Sequence, residues 1–133
     1  MSNDFSNLNQ LQHSIPLDKA KEMTRAYRDN KEKILKPEFS SKDILPICET
    51  FNKDALAPLM SNPNCLGIRI YYGMDTDKKI HAIIVGVNST GADMLATAPA
   101  GSSTLSPTFD PPPTENGQRC PPICPPGSPL NEP

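Results

Sequence analysis

Two cysteines near the C-terminus, Cys120 and Cys124, suggest chemistry most directly by their type and spacing. Thiols separated by three residues can bind a soft metal or alternate between a dithiol and a disulfide. A structural zinc site needs four ligands, which the chain would have to complete with Cys48 and Cys65 or with its two histidines. The pair therefore indicates a redox or metal module, a local bridge, or cysteines that are incidental to a recognition segment.

The other two cysteines, Cys48 and Cys65, lie among apolar residues and 17 positions apart. This setting favours small buried side chains over ligands, because an unpaired cysteine behaves as a small hydrophobic residue. A disulfide between them would require an oxidising compartment.

Arg69, Tyr71 and His81 form a second candidate site, since all three are predicted on the strands of one hairpin. Arg69 and Tyr71 are two residues apart and share a strand face, where they could bind an anion. The alternative is an exposed sheet face on which Arg69 pairs with a carboxylate such as Glu49 or Asp54. His81 has no acid, Cys or Ser at an offset typical of catalysis, which favours a structural or exposed role. We therefore predict Arg69, Tyr71 and His81 as candidate binding residues and assign no catalytic residue, while an enzyme that uses this surface stays an alternative.

The composition excludes several classes of protein. The chain has 133 residues, enough for one small domain, and 13 basic against 15 acidic side chains give a net charge of -2. This balance lacks the basic excess typical of nucleic-acid binding, and no apolar run reaches the roughly 18 residues of a membrane helix. Residues 1–12 lack the pattern of a secretory signal. We expect a cytoplasmic protein, with non-classical export left open, that binds neither nucleic acid nor membrane and uses no cofactor.

Apolar residues at helical spacing predict two helices in the N-terminal half. The first covers residues 17–36 and is ended by Pro37, which cannot continue a helix. The second covers residues 51–60, where Thr50 or Asn52 can cap the first turn.

A β-hairpin is the clearest predicted element. Residues 67–74 and 79–87 are rich in β-branched and aromatic side chains and are separated by a four-residue loop. Ile68, Ile70 and Tyr72 share one face of the first strand. An isolated hairpin is marginally stable in water, so we expect the helices to cover this face. The sequence thus predicts an α+β fold, with two N-terminal helices packed on a small antiparallel sheet.

The composition changes sharply near residue 91. Eleven of the 16 prolines lie between Pro99 and Pro133, and Arg119 is the only basic residue of this region. Such a segment buries too little apolar area to offset the entropy of ordering it. We therefore predict a flexible N-terminus over 1–14, an α+β domain over 15–90 and a disordered Pro-rich tail over 91–133 that carries the CPPICPP segment.

Three stretches taken together resemble a family of small uncharacterised bacterial proteins: residues 15–28, residues 64–75 with their GIRIYYG hairpin strand, and residues 84–88. The terminal CPPICPP segment is similar to tails in that family. The resemblance implies a compact α+β unit with an appended tail in a bacterial setting, and it implies no activity.

These observations favour a small non-enzymatic interaction or accessory protein. Its Pro/Cys-rich tail would tether it or be bound by a protein partner, because polyproline segments fit aromatic grooves at little entropic cost; a solvated spacer is equally compatible. Two alternatives stay open, a redox or metal-binding module that uses Cys120 and Cys124, and an enzyme or ligand-binding protein that uses Arg69, Tyr71 and His81. The sheet edge could also pair with a partner or with a second copy of the chain.

Overall fold

The structure is a computed structural model that describes residues 5, 7–95 and 113–131. It contains two α-helices and two antiparallel sheets, which confirms the predicted α+β class. Within the described ranges, neither helix combines the length and the hydropathy that a membrane span requires.

The chain divides into two compact units, each assembled from three stretches that alternate along the sequence. The first unit consists of the described residues of Met1–Gln12, Phe51–Tyr72 and Ala82–Asn116. The second unit consists of the described residues of His13–Thr50, Gly73–His81 and Gly117–Pro133.

Helix α1 spans Leu17–Asn30 in the second unit. It begins after Pro16 as expected, but it ends earlier than the predicted position 36. Residues 31–34 form a turn instead, and the Lys31 ammonium donates to the Leu45 carbonyl oxygen at 3.1 Å. A short 3-10 turn, Pro37–Phe39, follows.

Helix α2 spans Lys53–Ser61 in the first unit. Asn52 caps it as predicted, because its side-chain oxygen accepts a hydrogen bond from the backbone N–H of Asp54 at 2.9 Å. The helix buries Leu59 almost completely, which makes this side chain its main packing contact.

The predicted hairpin is present as β2, Gly67–Met74, and β3, Ile80–Val87. A two-residue strand β4, Asp93–Met94, pairs antiparallel with β3, so the sheet order is β2-β3-β4. On the same side of β3, Ile84 forms an isolated antiparallel bridge with Thr114. Strand β3 is therefore the central strand of this sheet.

The first unit packs its core around β3. Ile84, Val85 and Val87 are buried there, together with Met94 of β4 and Leu59 of α2. Gly86 makes this packing close, because a Cβ atom at that position would lie 2.9 Å from Leu59 Cδ2 and 3.1 Å from Cys65 Sγ.

The second unit contains a separate two-stranded sheet in which β1, Cys48–Thr50, pairs antiparallel with β5, Gln118–Cys120. Arg119 of β5 is buried and donates to three backbone carbonyl oxygens, those of Ile80 at 3.2 Å, Asp43 at 2.9 Å and Ile44 at 3.1 Å. These acceptors compensate the guanidinium for the water it loses.

The structure departs from the predicted disordered tail in its described parts. Residues 96–112 and 132–133 of the predicted segment lie outside the described residues. Residues 93–94 form β4, and residues 118–120 form β5. Composition alone did not anticipate this ordering, because a strand ladder and one buried arginine supply the interactions that a low apolar content does not.

Candidate functional site

Arg69 and Tyr71 lie on one face of β2, as predicted, and both contact Asp93 of β4. Arg69 Nη1 donates to Asp93 Oδ1 at 2.6 Å and to the Gly91 carbonyl oxygen at 3.1 Å. The Tyr71 hydroxyl donates to the other oxygen, Asp93 Oδ2. We call Arg69, Tyr71 and Asp93 the Asp93 cluster.

The cluster replaces the pairing expected from the sequence, in which Glu49 or Asp54 would meet Arg69. Pairing β4 with β3 places Asp93 on the far side of β3, where the Arg69 and Tyr71 side chains reach it from β2, although 24 residues separate it from Arg69. The sequence offered no signal for this contact, because a strand of two residues has no hydrophobic periodicity.

Arg69 and Tyr71 both stabilise the charged form of the Asp93 carboxylate. The hydrogen bond from Tyr71 is the main reason that the pKa of Asp93 lies below its ordinary value, and Arg69 lowers it further while partial burial opposes the shift. In return, the hydrogen bond to Asp93 raises the pKa of Arg69 and the pKa of Tyr71.

The charge of Arg69 is thus engaged within the chain. Besides Asp93 and Gly91, the ring of Phe5 lies over the guanidinium, with 5.5 Å between Arg69 Cζ and the ring centroid. An anion would have to compete with a carboxylate that is already in place. The geometry therefore favours a structural role, in which these contacts link β2 to β4, over the predicted anion-binding surface.

A cleft of about 370 Å³ lies beside Asp93 in the first unit, and its polar lining residues are Asn64, Asn88, Ser89 and Asp93. Asn88 Oδ1 accepts hydrogen bonds from the backbone N–H groups of Thr90 and Ala92, both at 3.0 Å. This amide oxygen therefore shapes the turn before β4 and has little capacity left for a ligand.

His81, the third residue of the predicted binding site, hydrogen bonds to Asp75. The distance between His81 Nε2 and Asp75 Oδ2 is 2.7 Å, and Asp75 Oδ1 accepts from the backbone N–H groups of Asp77 and Lys79. The bond with His81 is the main reason that the pKa of Asp75 is lowered. Sequence reasoning missed this acid partner, although a hairpin brings residues on either side of its turn together.

A disulfide joins Cys120 to Cys124, with 4.6 Å between their Cα atoms. Cys48 and Cys65 are thiols. Sulfur binds a metal as a thiolate, so the bridged pair offers no metal ligand in this state. Across the described ranges, no group of three or more His, Cys, Asp or Glu side chains is arranged to hold a metal ion.

The opposite face of β2 carries an exposed apolar row. Ile68, Ile70 and Tyr72 have exposed fractions of 41%, 50% and 78%. We call these three residues the β2 row. The prediction that the helices cover this face is wrong, because all three side chains are exposed. Among the strands that the structure describes, β2 is also at the edge of its sheet.

Comparisons with protein-family models, with curated proteins and with solved structures each find no match to this chain. The resemblance of the GIRIYYG hairpin and the CPPICPP segment to a family of small bacterial proteins therefore stays a prediction.

Proposed function

We propose that the protein is a small non-enzymatic interaction protein and that β2 is its binding surface, with a second copy of the chain as partner. The observation that carries this proposal is the exposed β2 row on an edge strand. An edge strand presents backbone N–H and C=O groups that can continue a sheet, and an apolar row beside them adds area to bury.

The sequence of β2 lacks the residue types that usually protect an edge strand against pairing. Proteins block edge strands with proline, with lysine or with charged side chains on the exposed face. The strand GIRIYYGM contains no proline and no lysine, and its single charged residue, Arg69, is held by Asp93 on the other face. The β2 row itself is uncharged.

Antiparallel pairing of two β2 strands gives a symmetric arrangement. If the two-fold axis lies at Ile70, the Ile68 side chain of one copy is opposite Tyr72 of the other. Pairs of an aromatic and a β-branched side chain across antiparallel strands are favourable. The same surface would serve both copies, as in most homodimers.

The C-terminal segment offers a smaller contact surface in this proposal. Over the described residues 113–131, the exposed large apolar side chains are Ile123 in the bridged loop and Leu130 beyond it. They are not on an edge strand, so they bring no backbone pairing. Tethering or recognition through the Pro/Cys-rich tail, expected from the sequence, is thus the weaker form of the interaction hypothesis.

Sedimentation equilibrium over a wide range of protein concentration tests the proposal. We expect the wild-type chain to form dimers and Ile70→Lys to remain a monomer, because a lysine in the centre of the β2 row places two ammonium groups against each other. Ile123→Lys is the matched control, since it adds the same charge to another exposed apolar position, and it should dimerise like the wild type. A wild-type chain that is monomeric throughout, or dimers that persist in Ile70→Lys, would contradict the proposal.

Thiol–disulfide exchange is a second candidate function, favoured by the bridge between Cys120 and Cys124. The cytoplasmic setting predicted from the sequence, which we retain as part of the proposal, strengthens this candidate. Disulfides in that compartment are usually transient and serve catalysis or redox sensing.

A further inference from the structure

We infer that Cys48 is the internal exchange partner of the Cys120–Cys124 bridge, so that the disulfide can pass between the 120–124 pairing and a 48–120 pairing. This inference rests on the second candidate function, thiol–disulfide exchange. We call Cys48, Cys120 and Cys124 the cysteine cluster; all three belong to the second unit.

The register of the small sheet places two of these cysteines face to face. Cys48 of β1 and Cys120 of β5 are direct cross-strand partners in an antiparallel pair. Residues opposite each other in such a pair have Cα atoms about 4.5–5.5 Å apart and side chains on the same face. Disulfides form at Cα separations of about 4.4–6.8 Å. The 48–120 pairing is therefore compatible with the existing backbone.

The backbone around Cys120 is held firmly on both sides. The Ile47 N–H donates to the Cys120 carbonyl oxygen at 2.7 Å, and the preceding residue, Arg119, is fixed by three carbonyl acceptors. This anchoring keeps Cys120 opposite Cys48 when the bridge to Cys124 opens, since neither interaction depends on that bridge.

The three sulfur-bearing residues differ in exposure. Cys120 is fully buried, Cys48 is half-buried and Cys124 is exposed. The thiolate of Cys48 would attack Cys120 Sγ, forming one S–S bond while the bond to Cys124 breaks and its electron pair leaves on Cys124 Sγ. The Cys48 proton passes to solvent and Cys124 takes one up, so the step involves no net oxidation.

The consequence is a change at the protein surface. In the 120–124 pairing the exposed cysteine is bridged, whereas in the 48–120 pairing Cys124 is a free thiol on an exposed loop. Such a thiol can react with an external disulfide, for example that of oxidised glutathione. The buried cysteine is the shared partner in both pairings.

Disulfide mapping of the full-length chain tests the inference, and the sequence makes the result easy to read. Trypsin cuts after Lys42, Lys53 and Arg119, so Cys120 and Cys124 lie on one peptide and Cys48 lies on another. A 120–124 bridge leaves the two peptides separate, while a 48–120 bridge joins them into one species of summed mass.

The variant Cys124→Ser isolates the second pairing. Equilibrated in a glutathione redox buffer, it should form the 48–120 bridge in a folded chain whose melting temperature is at least that of the reduced wild type. Cys65→Ser in the same background is the control and should form it equally, whereas Cys48→Ser should lose the joined peptide. The inference is overturned if Cys124→Ser stays folded and yields no joined peptide.

A trapping experiment on the wild type tests whether the disulfide passes from the 120–124 pairing to the 48–120 pairing. Oxidised protein incubated with dilute iodoacetamide and no reductant should accumulate chains alkylated at Cys124 that carry the 48–120 bridge, and Cys48→Ser should lose this product. Different outcomes would contradict the exchange function and the assignment of Cys48 as its partner. If the wild type forms no 120–124 bridge in the redox buffer, the exchange function fails; if that bridge forms but Cys48 never joins Cys120, only the assignment of Cys48 fails.

Discussion

The two strands of the hairpin, β2 and β3, have similar compositions and opposite surroundings. Both are rich in β-branched or aromatic residues, yet Val85 of β3 is 3% exposed while Ile70 of β2 is 50% exposed. The difference follows from position, because β3 has β2 on one side and both β4 and Thr114 on the other, whereas β2 is at the edge. Residues of similar β propensity therefore stabilise the fold in β3, whereas in our proposal those of β2 bind a second copy of the chain.

The largest expected difference between the strands concerns the free energy of unfolding. Ile84→Ala in β3 removes a buried side chain and should destabilise the chain by about 2–5 kcal/mol. Ile70→Ala in β2 should cost about 0.5 kcal/mol or less, as is usual for exposed positions. Urea unfolding at concentrations where sedimentation shows only monomers measures both. Equal losses for the two variants would mean that the β2 row is buried in solution.

A smaller loss is expected from adding volume beside β3. Gly86→Ala would place a methyl group 2.9 Å from Leu59 Cδ2 and should destabilise the chain by about 1–3 kcal/mol. Adding Leu59→Val should recover part of this loss, because it removes the atoms that the new methyl group meets. If the double variant is less stable than the sum of the two single changes predicts, the close contact at Gly86 is not the cause.

A still smaller effect should come from the Asp93 cluster on the other face of β2, and it depends on pH. Because the pKa of Asp93 is lowered in the folded state, its contribution to stability is complete above the ordinary carboxyl pKa of about 3.9 and is lost as the pH falls through the folded value. Asp93→Asn removes this contribution.

Urea unfolding of the wild type and Asp93→Asn at several pH values gives the comparison. We expect the wild type to be more stable at neutral pH and the gap to narrow below about pH 4. Asp75 and Glu32 also have lowered pKa values, but both are present in the two proteins and cancel in the difference. A gap that does not change with pH would show that Asp93 is not a charged partner of Arg69 and Tyr71.

The parts of the molecule that sequence reasoning predicted are those with local signals. The hairpin follows from two β-rich runs and a short loop, and the cap of α2 follows from Asn52 next to a helical run. Burial was harder to predict, because the pattern of β2 identifies a face without saying whether anything covers it. The prediction that the helices cover the β2 row was wrong for this reason.

Long-range pairs carried no local signal at all. Strands β1 and β5 have three residues each and are separated by about half of the chain, so neither shows a periodicity that could be matched to the other. The buried Arg119 was invisible for a related reason, since its acceptors are backbone carbonyl oxygens, which every sequence contains. The register between Cys48 and Cys120 depends on the same pairing and could be found only in the structure.

Hydrogen exchange measured strand by strand at increasing protein concentration tests the central claim most directly. If β2 is the surface through which two copies bind, its amide protons should exchange more slowly as the concentration rises, while those of β3 stay protected throughout. The Ile70→Lys variant should show no such dependence. Exchange in β2 that is equally fast at every concentration, with β3 protected, would contradict the account.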